Sequence, residues 1–301
     1  YRYRRRYGHF GDRAQFVPFP YCFRCPYGKK REDCGLYCVE QFARLFDTEY
    51  YGVWDPKVGE SEYAAFYVEA IQGTGGYVVP PPGYFERLKE ILEARKILMV
   101  DDEIQMGFYR AGKFWAIENF NVKPDVIVFG KAVTNGLNPL SGIWAREELI
   151  NPQLFPAGST HSTFNANPIG TAVALEAMKM MQETDYEEMT ALKGAYFLKG
   201  LKDLKSRYPQ VGDVDGLGMA LRMEICEADG FTPSKALVDR MVDESLKADI
   251  DVNGKRYGVI LDIGGYYKNV ITLAPSLEIS YEEIDLAITL LDRLLHRVTK
   301  G

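Results

Sequence analysis

The chain has 301 residues, of which 47% are hydrophobic and 26% charged, the balance of a folded globular protein of one large or two ordinary domains. Its 36 Lys and Arg residues against 42 Asp and Glu residues leave a net charge of −6, which is unsuited to general nucleic-acid binding. No apolar run approaches the roughly 18 residues of a membrane span, and the first ten residues do not resemble a secretory signal, so we expect a cytoplasmic protein.

The first 34 residues are rich in Arg, Tyr, Phe and Pro and predict an irregular arm. Four of the five cysteines lie in or just after this arm, with the spacing C-x2-C-x8-C-x3-C: Cys22, Cys25, Cys34 and Cys38. We interpret them as reduced thiols of a cytosolic protein and expect no metal. A tetrahedral zinc site is the alternative, because paired thiolates at such spacings ligate zinc. The low cysteine content argues against a disulfide scaffold.

Residues 35–145 alternate between helix and strand patterns. Helices are expected over 35–50, 84–96 and 114–120, and buried strands over 62–72, 97–101, 125–130 and 140–145. This alternation predicts a parallel sheet, whose ligands bind at the carboxyl ends of the strands. Three segments with residues suited to ligand binding fall at such ends: the glycine-rich Gly73–Gly76, the polar Asp102–Gln105, and Lys131.

The pattern changes after about residue 182. Asn167 and Pro168 open a helix through about 181, and further helices are expected over 186–208 and 233–249. Short strands are expected within 212–224, 257–262 and 270–273, and a last helix follows a Ser280–Glu283 capping box. We therefore predict a large domain over 1–182 and a smaller α+β domain over 183–301.

Two side chains stand out for their chemistry. Lys131 follows an apolar strand and a glycine, where a buried amine would serve as nucleophile or base. Asp102 follows the strand before it and needs a partner if it is buried, while the adjacent Asp101 must point elsewhere. The plain alternatives are a solvated lysine and a capped strand end. Alone, these positions indicate only a ligand crevice at a sheet edge.

Four motifs in order carry a resemblance. The segment 100–113 (VDDEIQMGFYRAGK) is similar to the D-E-[VI]-Q-x-G-x-x-R-x-G signature of class III (ω-type) aminotransferases, which are pyridoxal-phosphate enzymes of fold type I. Segments 124–132, 162–168 and 68–76 resemble that family's cofactor-lysine segment, its [ST]-T-[FY]-x-x-N-P motif and its V-E-P-[IV]-Q-G-E-G-G motif. The 29 residues from Asp102 to Lys131 match the family's spacing. The cysteine-rich loop looks like one in some aminobutyrate-type aminotransferases and amino-acid racemases.

The resemblance implies a fold and a set of roles. It implies a large domain with a mostly parallel sheet, a smaller C-terminal domain, and pyridoxal 5'-phosphate bound as a Schiff base on Lys131. Asp102 would pair with the pyridine nitrogen, Gln105 would reach the ring hydroxyl, and Thr163 would contact the phosphate from the neighbouring subunit. The protein would then be a homodimer with shared active sites, moving an amino group from an amine or ω-amino acid to an oxo acid.

The chain departs from the family at the substrate end. Thr74 replaces the glutamate of Q-G-E-G-G, and Thr272 replaces the arginine that holds a substrate carboxylate in the family. In the family this glutamate and arginine pair with each other when no substrate carboxylate is bound. Their joint replacement is consistent, because either charge alone would be left buried without a partner. We expect Thr74 and Thr272 to line the substrate site and carboxylate recognition by that arginine to be lost. Arg222 or Lys268 offers a substitute charge.

The family's first third, which carries the phosphate-cradling loop and an aromatic residue that stacks on the ring, has no counterpart in the chain. The expectation is that the full protein is longer or that the chain is an incomplete enzyme. Two alternatives to an aminotransferase therefore stay open. One is an amino-acid racemase or epimerase of the same fold, which needs the same lysine and aspartate. The other is a non-catalytic, truncated module.

Overall fold

The computed structural model describes residues 14–300, so the first part of the expected N-terminal arm lies outside the described residues. The helices are α1 (Tyr37–Ala43), α2 (Tyr84–Ala94), α3 (Pro168–Glu183), α4 (Tyr186–Arg207), α5 (Lys235–Leu246) and α6 (Tyr281–Lys300). The strands are β1 (Trp54–Asp55), β2 (Glu60–Ser61), β3 (Ala65–Val68), β4 (Leu98–Asp102), β5 (Val126–Phe129), β6 (Gly142–Ala145), β7 (Val211–Leu217), β8 (Ala220–Ile225), β9 (Ile250–Val252), β10 (Lys255–Tyr257), β11 (Asp262–Gly264) and β12 (Val270–Leu273).

The first large sheet has the strand order β3-β4-β5-β6. β3, β4 and β5 run parallel, and β6 returns antiparallel to β5, so the predicted mostly parallel sheet is confirmed. Its strands are short and bury residues such as Met99 and Ile127, whereas Tyr67 on β3 and Trp144 on β6 are exposed. Because the three parallel strands end at one edge, the residues that follow them meet there.

The second large sheet has the order β11-β12-β8-β7 and is antiparallel throughout. Helices α4, α5 and α6 pack with it around a core that includes Phe197, Met223 and Leu291. A separate core surrounds β3, β4 and α2. The two sheets thus have their own cores, while the division of the chain at 182/183 stays a prediction.

The predicted helix starts are confirmed at α3 and α6. Asn167 Oδ1 accepts a hydrogen bond from Gly170 N at 2.6 Å, with Pro168 as the first helical residue. Ser280 Oγ accepts from Glu283 N at 3.1 Å, and Glu283 Oε2 accepts from Ser280 N at 2.8 Å. Among the helices of residues 14–300, none has the length and apolarity that a membrane crossing requires.

Three predicted elements differ from the structure. The strand expected over 62–72 is only β3, because the chain turns after Val68 and Glu69 caps Gly73 N at 2.7 Å. The helix expected over 35–50 ends at Ala43 and continues as two 3-10 turns, Arg44–Phe46 and Glu49–Tyr51. The strand expected over 257–262 is wrong, since β10 ends and β11 begins in that range with a non-strand segment between them.

Candidate functional site

The carboxyl edge of the parallel sheet carries three charged side chains: Glu69 after β3, Asp102 at the end of β4 and Lys131 after β5. Asp102 is half-buried, and its Oδ1 accepts a hydrogen bond from Ile104 N at 3.0 Å. Within residues 14–300 no donor contacts Asp102 Oδ2. One carboxylate oxygen is therefore fixed by the backbone while the other is free to accept a ligand proton.

Lys131 starts the 3-10 turn Lys131–Thr134 directly after Gly130. Its φ of 42° lies in the left-handed region, which costs a non-glycine residue roughly 1–3 kcal/mol and is found disproportionately at functional sites. The side chain is exposed and forms no ion pair within the described residues, so the condition of burial attached to its expected role as a nucleophile or base is not met here. Its amine is thus accessible to a ligand carbonyl.

Two cavities lie at this edge of the sheet. Asp102 and Glu69 line a cavity of about 280 Å³ under residues 17–19, and Lys131 and Gln105 line a larger one of about 660 Å³. A Cβ on Gly73 would overlap Gln105 Oε1 and lie 3.0 Å from Glu69 Oε2, so side chains from both cavities converge on this glycine. The structure thereby brings Asp102, Gln105 and Lys131 to one region of the sheet edge.

Glu69 and Tyr77 are site residues to which the sequence motifs gave no role. Burial is the main cause that raises the pKa of Glu69, and the hydrogen bond from the Gly73 amide lowers it. The charge of Asp102 also raises this pKa and that of Lys131 lowers it, so Glu69 lies within electrostatic reach of both. Tyr77 is buried, lines the larger cavity and accepts a hydrogen bond from Gln105 Nε2 at 3.2 Å. The signal for Glu69 was its place after an apolar strand, the same one that marked Asp102.

The two threonines expected at the substrate end lie near each other. The carbonyl oxygen of Thr74 accepts a hydrogen bond from Gly265 N at 3.1 Å. A Cβ on Gly264 would lie 3.0 Å from Thr272 Cγ2 and 3.6 Å from Thr74 O. Thr163 is different: it lies in an exposed segment and forms no hydrogen bond within residues 14–300.

Arg222, offered above as a substitute cation, is committed elsewhere. It is 1% exposed, pairs with Asp213 and Glu224, and donates to Tyr21 Oη at 2.7 Å. This network fastens the segment around Tyr21 to β8 and leaves Arg222 unable to reach a substrate. Lys268 follows the turn at Gly265 and has no ion pair among the described residues.

The four clustered cysteines all line one small cavity of about 20 Å³, and each is half-buried and free. Burial raises the pKa of Cys38 to about 11. Within residues 14–300, no three His, Cys, Asp or Glu side chains are grouped as metal ligands. The interpretation of Cys22, Cys25, Cys34 and Cys38 as reduced thiols, with zinc as the alternative, stays a prediction.

Comparisons with known proteins agree on a family. The model of the family described as aminotransferase class-III matches residues 2–295. A leucine/methionine racemase of Thermococcus litoralis is 34% identical over 96% of this chain and 60% of its own length. An alanine/serine racemase of Pyrococcus horikoshii is 32% identical over 99% of this chain and 59% of its own. A diaminobutyrate–2-oxoglutarate aminotransferase of Rhizobium meliloti is 30% identical over 90% and 55%.

A solved aminotransferase of Bacillus anthracis superimposes with a TM-score of 0.81, at 27% identity, over 98% of this chain and 64% of that one. The likeness therefore extends through both sheets. The chain spans about 60% of the length of the two racemases it matches.

Proposed function

The chain belongs to the class-III aminotransferase family, and from that premise we propose a pyridoxal-phosphate-dependent aminotransferase that moves an amino group from an amine or ω-amino acid to an oxo acid. The observation that carries the proposal is the convergence of Asp102, Gln105 and Lys131 at the sheet edge. We place the enzyme in the cytoplasm, as a homodimer with shared active sites.

The residues present fit the ring end of the cofactor. Asp102 keeps one carboxylate oxygen free of protein donors, as a partner for a protonated ring nitrogen requires. Lys131 presents an exposed, unpaired amine that would hold the cofactor covalently. Because Gly73 has no Cβ, the Gln105 amide approaches its backbone closely. When bound, pyridoxal phosphate supplies an electron sink for the carbanion at the substrate Cα.

The chain's own residues then have separate tasks. Asp102 would hold a ring nitrogen protonated, because an adjacent carboxylate favours the cationic form. Lys131 Nζ would be the base that takes the Cα proton and the acid that returns it. Gln105, whose amide donates to Tyr77, would contact the ring hydroxyl. Thr163 of the neighbouring subunit would hold the phosphate.

A labelling experiment tests the assignment of Lys131. Reduction of the yellow purified protein with borohydride, followed by peptide mapping, should place a pyridoxyl group on Lys131. The Lys131→Ala variant should lose the label and nearly all activity, whereas Lys123→Ala, on the opposite end of β5, should keep both. Label on another lysine would overturn the assignment, and a colourless protein that takes up no cofactor would support a non-catalytic module.

A racemase is the second candidate, because the relatives that cover 96% and 99% of this chain are amino-acid racemases. Both reactions need a lysine that moves the Cα proton. They differ in products: a transaminase yields an oxo acid and consumes an acceptor, whereas a racemase yields the other enantiomer and needs no acceptor. Chiral chromatography of single L-amino acids incubated without an oxo acid therefore separates the two.

A further inference from the structure

A carboxylate lies beside Thr272, at the position where the family resemblance places an arginine. Asp262 and Thr272 face each other across the β11–β12 pair. Thr272 Oγ1 lies 2.6 Å from Asp262 Oδ2 and 3.3 Å from its carbonyl oxygen. Thr272 is 4% exposed, whereas Asp262 is exposed and its Oδ1 has no donor within residues 14–300. The hydroxyl thus orients the carboxylate and leaves one oxygen free.

Thr272 lies two residues before the wall of the cavity that contains Lys131. β12 ends at Leu273, and the next residue, Ala274, lines that cavity. Two extended residues span about 7 Å along the chain. Tyr77 lines the same cavity. Burial is the main cause that raises the pKa of Tyr77, and the charge of Asp262 raises it further. The field of Asp262 therefore reaches a hydroxyl on the cavity wall.

Among the described residues, two cations line this cavity. Arg110 lines the cavity, but its Nη1 donates to the carbonyl oxygens of Pro275 at 2.7 Å and Met219 at 3.3 Å. Arg222 is held in its own buried network. Lys131 is reserved for the cofactor, and Glu176 and Glu278 add further negative charge to the lining. Arg110 keeps its charge but is tied to the backbone. The carboxylates of Asp262, Glu176 and Glu278 therefore favour a substrate that ends in an ammonium group.

We propose that Asp262, oriented by Thr272, recognises a second, protonated amino group at the far end of the substrate, so that the site selects amines carrying two amino groups. The inference rests on the proposed function, since it names the substrate class of that same site. It makes Asp262 a specificity-determining residue and gives Thr272 the task of positioning it.

A pair of amines of equal chain length tests the selectivity. The ratio of kcat/KM for 1,5-diaminopentane to that for pentylamine cancels differences in cofactor loading between preparations. The ratio should exceed one in the native protein and fall about tenfold in Asp262→Asn. A tenfold change corresponds to the weaker hydrogen bonds to charged groups, which is the size expected because Asp262 is exposed. Thr272→Val, which keeps the charge but removes its anchor, should lower the ratio less. Asp239→Asn removes an equal charge from exposed α5 and should leave the ratio unchanged.

A binding measurement makes the test independent of turnover. Titration calorimetry without an oxo acid should show tighter binding of 1,5-diaminopentane than of pentylamine, and Asp262→Asn should abolish the difference. The difference should also shrink in 0.5 M salt, because exposed charges are screened within about 3–5 Å at that ionic strength. Asn keeps an acceptor oxygen for Thr272, and circular dichroism checks that the variant is folded.

The outcomes separate the two proposals. If neither amine is turned over, the aminotransferase proposal fails, and calorimetry still decides the role of Asp262. If Asp262→Asn leaves both the turnover ratio and the binding difference intact, the assignment of Asp262 is overturned. Preference for glutarate over the diamine in calorimetry, lost in Lys268→Gln, would also overturn it, because Lys268 would then be recognising a carboxylate.

Discussion

Asp101, Asp102 and Glu103 are consecutive carboxylic acids with opposite environments. Side chains alternate across a strand, so Asp101 and Glu103 share a side and Asp102 takes the other. Asp101 and Glu103 are fully buried, whereas Asp102 reaches the cavity. Burial raises the pKa of both buried carboxyls, and the neighbouring Glu103 raises that of Asp101 further. The sequence-based expectation that only one of Asp101 and Asp102 faces the site is confirmed.

The buried pair predicts a loss of stability with rising pH. Because folding raises the pKa of both carboxyls, the folded state binds more protons than the unfolded state above about pH 4, and their contribution falls as the pH rises. The urea midpoint of Asp101→Asn should therefore decrease less between pH 5 and pH 8 than that of the native protein. At pH 8 this substitution should raise the free energy of unfolding, because the neutral amide avoids the cost of ionising a buried carboxyl.

The matched control is Asp239→Asn on exposed α5, which should leave the pH profile as in the native protein. Urea melts at four pH values, followed by tryptophan fluorescence, give the comparison. A profile for Asp101→Asn that stays parallel to the native one would show that the pair does not titrate in this range.

Sequence position identified Asp102 and Lys131, because each follows a strand whose apolar run is readable over a few residues. The same reasoning did not find Tyr77 or Asp262. Tyr77 enters the site through Gln105, 28 residues away, and Asp262 through its register with Thr272. Contacts of this kind are set by which strands pair and how loops fold back, and a local pattern carries no information about them.

At the scale of elements, α4 lies unusually close to the β7–β8 turn. A Cβ on Gly194 would overlap the carbonyl of Gly218, which belongs to backbone and has little room to move. On the same helix, a Cβ on Gly200 would meet the side chain of Ile288, overlapping its terminal Cδ1 and lying 3.0 Å from its Cγ1. The two glycines thus have the same helical backbone but neighbours of different stiffness.

This contrast predicts different effects of one substitution. Gly194→Ala should lower the free energy of unfolding by about 1–3 kcal/mol, the usual cost of overpacking. Gly200→Ala should change it by less than about 1 kcal/mol, because the gain in helix propensity of roughly 1 kcal/mol offsets the shift of Ile288. Chemical denaturation measures both. Equal effects of the two would contradict a rigid contact between α4 and the turn.

Helix ends were predicted well where a side chain caps them, as at Asn167 and Ser280, since the caps act within four residues. The predicted strand over 62–72 was too long for a different reason. Glu69 and Gly73 form a turn at the sheet edge. The apolar Ala70 and Ile71 lie within this turn and are buried in the core around β3, β4 and α2, although they belong to no strand. Apolar periodicity reports burial, and here burial and strand do not coincide.

At the scale of the whole molecule, the region around β6, the edge strand of the first large sheet, exposes many apolar side chains. So many exposed apolar residues are unusual for a surface that contacts only water. The most exposed are Leu137 (77%), Ile143 (63%), Trp144 (64%), Phe164 (80%) and Ile169 (66%). Several of them flank Thr163 in sequence or follow Lys131. This distribution favours a subunit interface that includes the active site, as the resemblance implies for Thr163.

We therefore expect the protein to sediment as a homodimer at micromolar concentration, with the Phe164 region in the interface. Phe164→Asp would place a charge in an apolar contact and should raise the dimer dissociation constant at least tenfold, equivalent to about 1.4 kcal/mol. Ile260→Asp changes a similarly exposed apolar residue (88%) in the segment between β10 and β11 and should leave the dimer intact. Because Thr163 would act across the interface, the Phe164→Asp monomer should also bind the cofactor more weakly. A stable native monomer with normal cofactor affinity would show that each chain builds its site alone.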